Sequence, residues 1–316
     1  MSESAPQPAA RPAEHPGVTV VVPTHDRPEL MALAVRSVLE QDHEGPIEVV
    51  IVFDAAEVCI PELVVPAGRS IRGVPNSRTR GLAGARNTGI LEATTELVAF
   101  LDDDDVWLPA KLRRQLERLR DDPAALLVGT AMLVDDGERI HERLVGAELV
   151  ERPQLIANRL PGLHSSSLLF RREALLGELG LIDEELPISY GEDYDILLRT
   201  AAIAPVRVVD EPLVKVRWTG ESHFMGKWAK YAEALRYLLR KHPDFLDAPR
   251  PLGRIQAQVA FALAASGQPA VARRWARRAL RNDPRQLKAA IAIAISLRLV
   301  TPDRVARVAR RFGKGI

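Results

Sequence analysis

Cysteine is nearly absent: the 316-residue chain has one, Cys59. Without a second thiol there is no intramolecular disulfide and no Cys-rich zinc site, which fits a reducing cytoplasm. Long apolar runs are missing too. The longest, near Ala289–Leu297, is about half of the roughly 18 to 20 residues that cross a bilayer, and Arg298 follows it. Met1–Pro16 is rich in Ala and Pro and carries no basic flank with an apolar stretch, so residues 1–16 read as a disordered tail rather than a signal peptide. Net charge is only +1, from 43 basic and 42 acidic residues, but the balance is uneven. From Arg250 onward 15 Lys/Arg face 2 Asp/Glu, a net of +13, while the preceding residues net −12. The acidic body argues against wrapping DNA. The basic segment suggests a polyanion, but it lacks interleaved aromatics and any nucleic-acid motif, which leaves an anionic membrane surface or the acidic body itself as its partner.

What is present suffices for a large core: 47% of residues are hydrophobic and 27% charged, over a length that allows one large domain or two ordinary ones. Val18–Val22 and Glu48–Val52 are β-branched runs separated by helical spacing at Leu30, Leu33, Ala34 and Val38. The alternation continues with a short strand at Leu63–Val65, a helix over Gly81–Ala93, a buried strand at Leu97–Leu101 and a helix over Pro109–Asp121. Strands at Leu126–Val134 and Ser166–Phe170 and helices at Asp193–Ala202 and His223–Lys241 follow. This pattern predicts an α/β fold with a mostly parallel sheet flanked by helices over residues 17–249. After the Pro-bounded break at Pro243–Pro251, residues 250–316 read as a basic, all-helical appendage, with Arg273, Arg274, Arg277, Arg278 and Arg281 on one helix.

The strongest chemical signal is the run Asp102, Asp103, Asp104 and Asp105, emerging where a buried strand ends. Ligands of open α/β sheets bind at that edge. Carboxylates so close raise one another's pKa unless a counter-charge is supplied. Mg²⁺ or Mn²⁺ supplies it with a preference for hard oxygens, so the run suggests a metal clamp for a diphosphate. A solvated acidic loop is the plain alternative.

Val22-Pro23-Thr24-His25-Asp26 ends the first strand, Phe53-Asp54 ends the second, and Gly84-Ala85-Arg86-Asn87 precedes the third motif. With the Asp run and Tyr190-Gly191-Glu192-Asp193, their order and spacing closely resemble the inverting, nucleotide-sugar-dependent glycosyltransferases of family 2, which have the GT-A fold. The resemblance covers roughly Val18 to Met225. It implies that Pro23 and Thr24 line the nucleotide pocket, that Asp54 bonds the base, that Arg86 meets a phosphate or base carbonyl, and that Asp102 and Asp103 lie near ribose and diphosphate. Where the family often has Asp-Asp-Gly-Ser, this chain has Phe53-Asp54-Ala55-Ala56. Asp104 corresponds to the metal-binding acid, and Asp105 is expected to cap a helix. Asp193 corresponds to the catalytic base, with Glu192 as helper. In-line attack by an acceptor hydroxyl asks for one such carboxylate, while a metal stabilises the departing diphosphate.

Some relatives bring a His to the metal from a loop, a place held here by His223. Trp218 is expected to stack on an acceptor sugar or to pack, and His164-Ser165-Ser166-Ser167 to line the donor-sugar pocket or to start a strand. The partners so implied are a nucleotide-sugar donor and a glycan, lipid-linked or other hydroxyl acceptor, with no nucleic acid. The expected role is cell-surface polysaccharide or glycoconjugate synthesis by a cytoplasmic enzyme, with peripheral attachment to the inner face of the cell membrane as the further expectation. A non-catalytic scaffold and a sugar nucleotidyltransferase are the alternatives. The second normally shows a Gly-rich triphosphate loop that Pro23–Glu29 lacks.

Overall fold

The computed structural model describes residues 15–218, 226–302 and 304–305. Four parallel strands, β1 (Val18–Thr24), β2 (Ile47–Phe53), β3 (Arg69–Pro75) and β4 (Leu97–Phe100), lie in the order β3-β2-β1-β4. They alternate with α1 (Pro28–Leu39) and α2 (Leu82–Glu92). The sheet continues through β5 (Val106–Trp107), β6 (Leu127–Asp135), β7 (Ile140–Arg143), β8 (Leu149–Val150), β9 (Leu169–Arg171) and β10 (Val206–Arg217). In this half β9 inserts antiparallel between β4 and β6, whereas β6 and β10 pair parallel. The remaining helices are α3 (Lys111–Asp121), α4 (Arg152–Ala157), α5 (Arg172–Leu176), α6 (Glu192–Ile203), α7 (Trp228–Lys241), α8 (Pro249–Ala265), α9 (Pro269–Asn282) and α10 (Leu287–Ser296).

Strand period 2 explains the two cores. Val18, Val20 and Val22 turn to the face covered by α1 and α3, with Val35, Leu112 and Leu116. Val21 turns to the other, with Phe100, Phe170 and Ile196. Ile255, Ala257, Ala272 and Ala276 of the C-terminal helices belong to that second core. Trp228 of α7 meets Phe261 of α8 edge to face at 5.6 Å. The buried residues of α9 are the alanines 272, 276 and 279, and a Cβ on Gly253 of α8 would lie 3.1 Å from Ala279 O. No helix among the described residues is long and apolar enough to cross a membrane.

Three sequence expectations need correction. Leu63–Val65 is a loop with Val64 exposed, and the third strand is β3. Because β3 is an edge strand bonded only to β2, its polar sequence RSIRGVP hides it from a search for apolar runs. Within Ser166–Phe170 the strand begins only at Leu169, because Ser165–Ser167 form a 3₁₀ turn. The long strand β10 is masked in sequence by Asp210-Glu211-Pro212, which reads as a turn and is instead an irregularity in its register with β6.

Candidate active site

The site begins where β4 ends, opposite Val21, short of the end of its neighbour β1. Leu101 N donates to Val21 O at 3.1 Å, after which β1 runs on to Thr24 paired with β2 alone. Pro23 lies two residues beyond Val21, so its missing N–H points where β4 has already ended and breaks no ladder bond. The Asp run therefore leaves the sheet beside Pro23 and Thr24. Thr24 Oγ1 donates to Asp103 Oδ2 at 2.8 Å. Arg27 Nη1 spans Asp103 Oδ1 at 3.1 Å and Asp104 Oδ2 at 2.8 Å. Burial raises the Asp103 carboxyl, with Thr24 and Arg27 holding back only part of the rise. Asp104 keeps 30% of its side chain exposed. At the end of β2, Asp54 accepts from Asn76 Nδ2 at 2.8 Å and from Gly81 N at 2.9 Å, fastening the loop that enters α2.

Helix α2 is buried on nearly all sides because glycine removes the side chain at the contact: a Cβ on Gly89 would lie 2.2 Å from Val21 Cγ1. Close docking on β1 carries Arg86 into the interior, where it is 1% exposed. Its guanidinium bonds Asp102 Oδ1 at 2.6 Å and also Glu192 Oε1, and it lies 5.5 Å from the Phe100 ring centroid. Arg86 thus joins the Asp run to the Glu-Asp pair across some ninety residues of sequence. Burial works against its charge, but Asp102 and Glu192 more than compensate and hold its pKa above the ordinary value. Burial alone would raise Asp102, yet Arg86 and then His164 bring it below the usual carboxylate range.

Asp105 is not a helix cap: α3 begins at Lys111 and its N-cap is Ala110. Its carboxylate is 1% exposed, accepts from Ser166 Oγ at 2.6 Å and Arg217 N at 3.2 Å, and lies 3.4 Å from His164 Nδ1. Burial pushes it up to about 7 against the attraction of His164. The triple serine serves the Asp run, with Ser165 Oγ donating to Asp102 at 3.0 Å and Ser166 Oγ both accepting from Asp102 N and donating to Asp105. Ligand atoms of Asp102, Asp105 and His164 lie within 4.8 Å of one another. Oxygens of Asp102 and Asp105 beside the His164 imidazole, the Asp105 carboxyl displaced upward by burial, are a donor set of the kind that fits a hard divalent cation.

Helix α6 opens on Gly191 at φ 81, a left-handed turn that favours glycine. Its first turn presents Glu192 and Asp193 where a helix N-terminus favours negative charge. Glu192 faces Arg86; burial pushes it up to about 7 despite that partner, and Asp193 adds to the rise. Asp193 faces the other way. Arg159 Nη2 reaches both its oxygens, at 2.8 and 2.9 Å, and Tyr194 N donates to Oδ1 at 2.7 Å. Burial would raise Asp193, but Arg159, His164 and the Tyr194 N–H together keep the carboxylate below its usual range. Arg159 also lies 5.5 Å from the Tyr190 ring centroid and donates to Tyr190 OH at 3.2 Å.

The structure therefore brings together Thr24, Arg86, Asp102, Asp103, Asp104 and Glu192, with Pro23 and Asp54 on the adjoining strand ends and Asp193 beside Glu192. His223 lies outside the described residues. Trp218 is 42% exposed with Arg143 5.0 Å from its ring centroid. Arg27 and Arg159 were not singled out as functional from sequence, whereas His164 was expected, with the triple serine, to line the donor-sugar pocket or to start a strand. Only Arg27, three residues beyond Thr24, carried any positional signal.

The glycosyl transferase family 2 model matches residues 19–176. The succinoglycan biosynthesis protein ExoO of Rhizobium meliloti is 36% identical over 213 residues, covering 62% of this chain and 59% of that protein. The UDP-Glc:alpha-D-GlcNAc-diphosphoundecaprenol beta-1,3-glucosyltransferase WfgD of Escherichia coli is 23% identical over 141 residues, covering 45% of this chain and 55% of that one. The aligned region thus spans less than two thirds of these relatives. Among solved structures, S. aureus TarS 1-349 in complex with UDP-GlcNAc aligns with a TM-score of 0.58 at 15% identity, covering 94% of this chain and 92% of that one. The mannosyltransferase PcManGT from Pyrobaculum calidifontis, in complex with GDP-Man and Mn2+, aligns with a TM-score of 0.53 at 20% identity, covering 98% and 90%. These structural likenesses show the GT-A fold.

Proposed function

Because the chain belongs to glycosyl transferase family 2, we propose that it transfers a sugar from a nucleotide-diphosphate donor to a hydroxyl acceptor with inversion, in polysaccharide or glycoconjugate synthesis. The observation that carries this reading is the Arg86 bridge, which holds Asp102 and Glu192 in one buried unit at the carboxyl edge of the parallel strands.

Pro23, Thr24 and Asp54 bound the nucleotide side. Asp102 and Asp103 receive the ribose and diphosphate, and Asp104, half-buried beside Arg27, would hold the cation with His223 as a second ligand. Asp105 is too enclosed to meet substrate and steadies the run through Ser166 and His164. When bound there, a divalent cation would supply positive charge for the leaving diphosphate. Asp193 accepts the proton of the attacking hydroxyl; Arg159 keeps it ionised until an acceptor arrives, and Glu192 sets its position. WfgD, a relative, is named for action on a lipid-linked diphosphate sugar, which supports a lipid-linked acceptor here.

Placement at a membrane surface is part of the proposal. Arg274, Arg277, Arg278 and Arg281 of α9 are exposed, and none of them is ion-paired among the described residues. An anionic leaflet on the inner face of the cell membrane is their proposed counterpart. The test of the function is a panel of UDP-, dTDP- and GDP-sugars with Mg²⁺ or Mn²⁺, following donor hydrolysis and the anomeric configuration of any product by NMR. Retention of configuration, or no turnover of any donor, overturns it.

A further inference from the structure

The first turn of α6 divides the site. On one side Glu192 looks to Arg86 and Asp102, the donor side; on the other Asp193 looks to Arg159. Past Arg159 the positive charge continues into the C-terminal helices. Arg254 of α8 hydrogen-bonds the Tyr194 phenol, whose ring Arg159 also neighbours, and both arginines are close enough to Tyr231 for their charge to act on its phenol. Lys288 of α10 lies close enough to Arg254 to feel its charge. Among the described residues neither Arg254 nor Lys288 is ion-paired.

Two Arg254 donors, Nε and Nη2, are buried with no hydrogen-bond partner. Buried donors are ordinarily satisfied, and an unsatisfied one costs free energy in proportion to the water it has lost. Two neighbouring cations with no acid between them add a repulsion that a bound anion would remove. A guanidinium fork and an ammonium together match the oxygens of a phosphate.

We propose that Arg254 and Lys288 form a subsite for a phosphate or diphosphate group on the acceptor, placed so that the acceptor's hydroxyl meets Asp193. The inference rests on the assignment of Asp193 to the acceptor side. Burial and the neighbouring Arg254 both lower the Lys288 pKa, as expected for an ammonium held ready without its counter-ion. The subsite also explains why the helices after Pro249 are built into the catalytic core: they carry part of the acceptor site to it.

The test is isothermal titration of the full chain with inorganic pyrophosphate, inorganic phosphate and a short polyprenyl diphosphate in neutral detergent micelles. Chelator is present throughout, so that no cation at the Asp run recruits the probe. Pyrophosphate or polyprenyl diphosphate is expected to bind, and Arg254→Gln and Lys288→Met each to weaken binding roughly tenfold or more. Arg254→Lys should restore part of the loss, and Arg120→Gln, at an exposed position on α3, should cost nothing. Binding of polyprenyl diphosphate alone identifies a lipid-linked source, and equal binding of both identifies the diphosphate as sufficient. No binding of either, or unchanged affinity in both variants, overturns the subsite; if Arg254→Gln fails to fold, Lys288→Met decides. Donor hydrolysis by the unsubstituted chain is measured on the same preparation. Its absence would refute the transferase reading without touching the anion titration.

Discussion

Replacing Arg86 by Met keeps an unbranched side chain in the cavity and removes the charge that joins the two halves of the site. Removing one partner of a buried pair costs about 3–5 kcal/mol, because the other partner is left charged in a poor solvent. Here two carboxylates, Asp102 and Glu192, are left together. In domains of somewhat smaller size 1 kcal/mol moves Tm by roughly 2–4 °C, so a fall of roughly 6 °C or more is expected at pH 8. The pH dependence distinguishes lost charge from lost packing. Asp102 is held below its ordinary 3.8 by Arg86, so that pair stabilises the fold above the unfolded pKa and fades as pH falls through the folded one. Glu192, raised from 4.5 to about 7, does the opposite: its ionisation costs stability progressively as pH rises between those values. Without Arg86 both carboxyls shift upward, and the penalty falls on their ionised forms. The gap in Tm between the native chain and Arg86→Met should therefore be widest at pH 8 and narrower at pH 5.5. Adding Glu192→Gln to Arg86→Met should recover part of the loss at pH 8, a coupling of about 0.5–3 kcal/mol. Differential scanning calorimetry at the two pH values decides it. An equal gap at both, or no recovery in the double variant, would refute the charge-bridge argument.

Asp193→Asn should lower transfer by roughly a hundredfold or more, as expected for loss of a general base, while donor binding measured by titration stays near normal; near-normal turnover would remove Asp193 from its role. Excess chelator should abolish donor binding, Asp104→Asn should weaken its dependence on Mn²⁺, and unchanged metal dependence in His223→Ala would strike that residue from the ligand set. Asp105, raised from 3.8 to about 7, costs stability as pH rises between those values, so denaturant midpoints of Asp105→Asn should vary less with pH across that window than those of the native chain; identical slopes would contradict the burial argument. Full-length protein should sediment with anionic vesicles at low salt and be released at high salt, since the attraction decays over a Debye length of roughly 8 Å at physiological ionic strength. Exchange of Arg274, Arg277, Arg278 and Arg281 for Gln should leave it in the supernatant, and co-sedimentation of that variant would exclude the α9 face.

Strands β1, β2 and β4 of the parallel half were legible because they are apolar on both faces, and the acids of the candidate site were legible because they lie at strand and helix ends, where sequence position translates directly into place. What stayed hidden were the counter-charges. Nothing in the spacing of Arg159 ties it to Asp193, since the contact is made by a loop whose path depends on how α4 packs under α6. The misreading of Asp105 as a cap has the same origin. Asp is a good N-cap, and a helix does follow, but the short strand β5 intervenes and turns the side chain inward to Ser166. Edge strand β3 and the irregular β10 were hidden for the converse reason: strands paired on one side or interrupted by Pro212 need no continuous apolar run.

The charge split between the two parts of the sequence acquires a physical division in the fold. On α9 the alanines at 272, 276 and 279 face the core, and helical period then forces the intervening arginines outward. Helices α8 and α10 pack against the opposite, inner side, where Arg254 neighbours Tyr194 of α6 and Lys288 lies close enough to Arg254 to feel its charge. One set of positive charges is thus exposed, while Arg254 lies beside the first turn of α6 that carries Asp193. Because α8 and α9 share one core cluster with α2 and α6, a protein held by its α9 face presents its acceptor side at a fixed orientation. A lipid-linked phosphate would then reach Arg254 and Lys288 from the same membrane that the arginines of α9 contact, so the two basic groups serve one geometry and should fail independently when substituted.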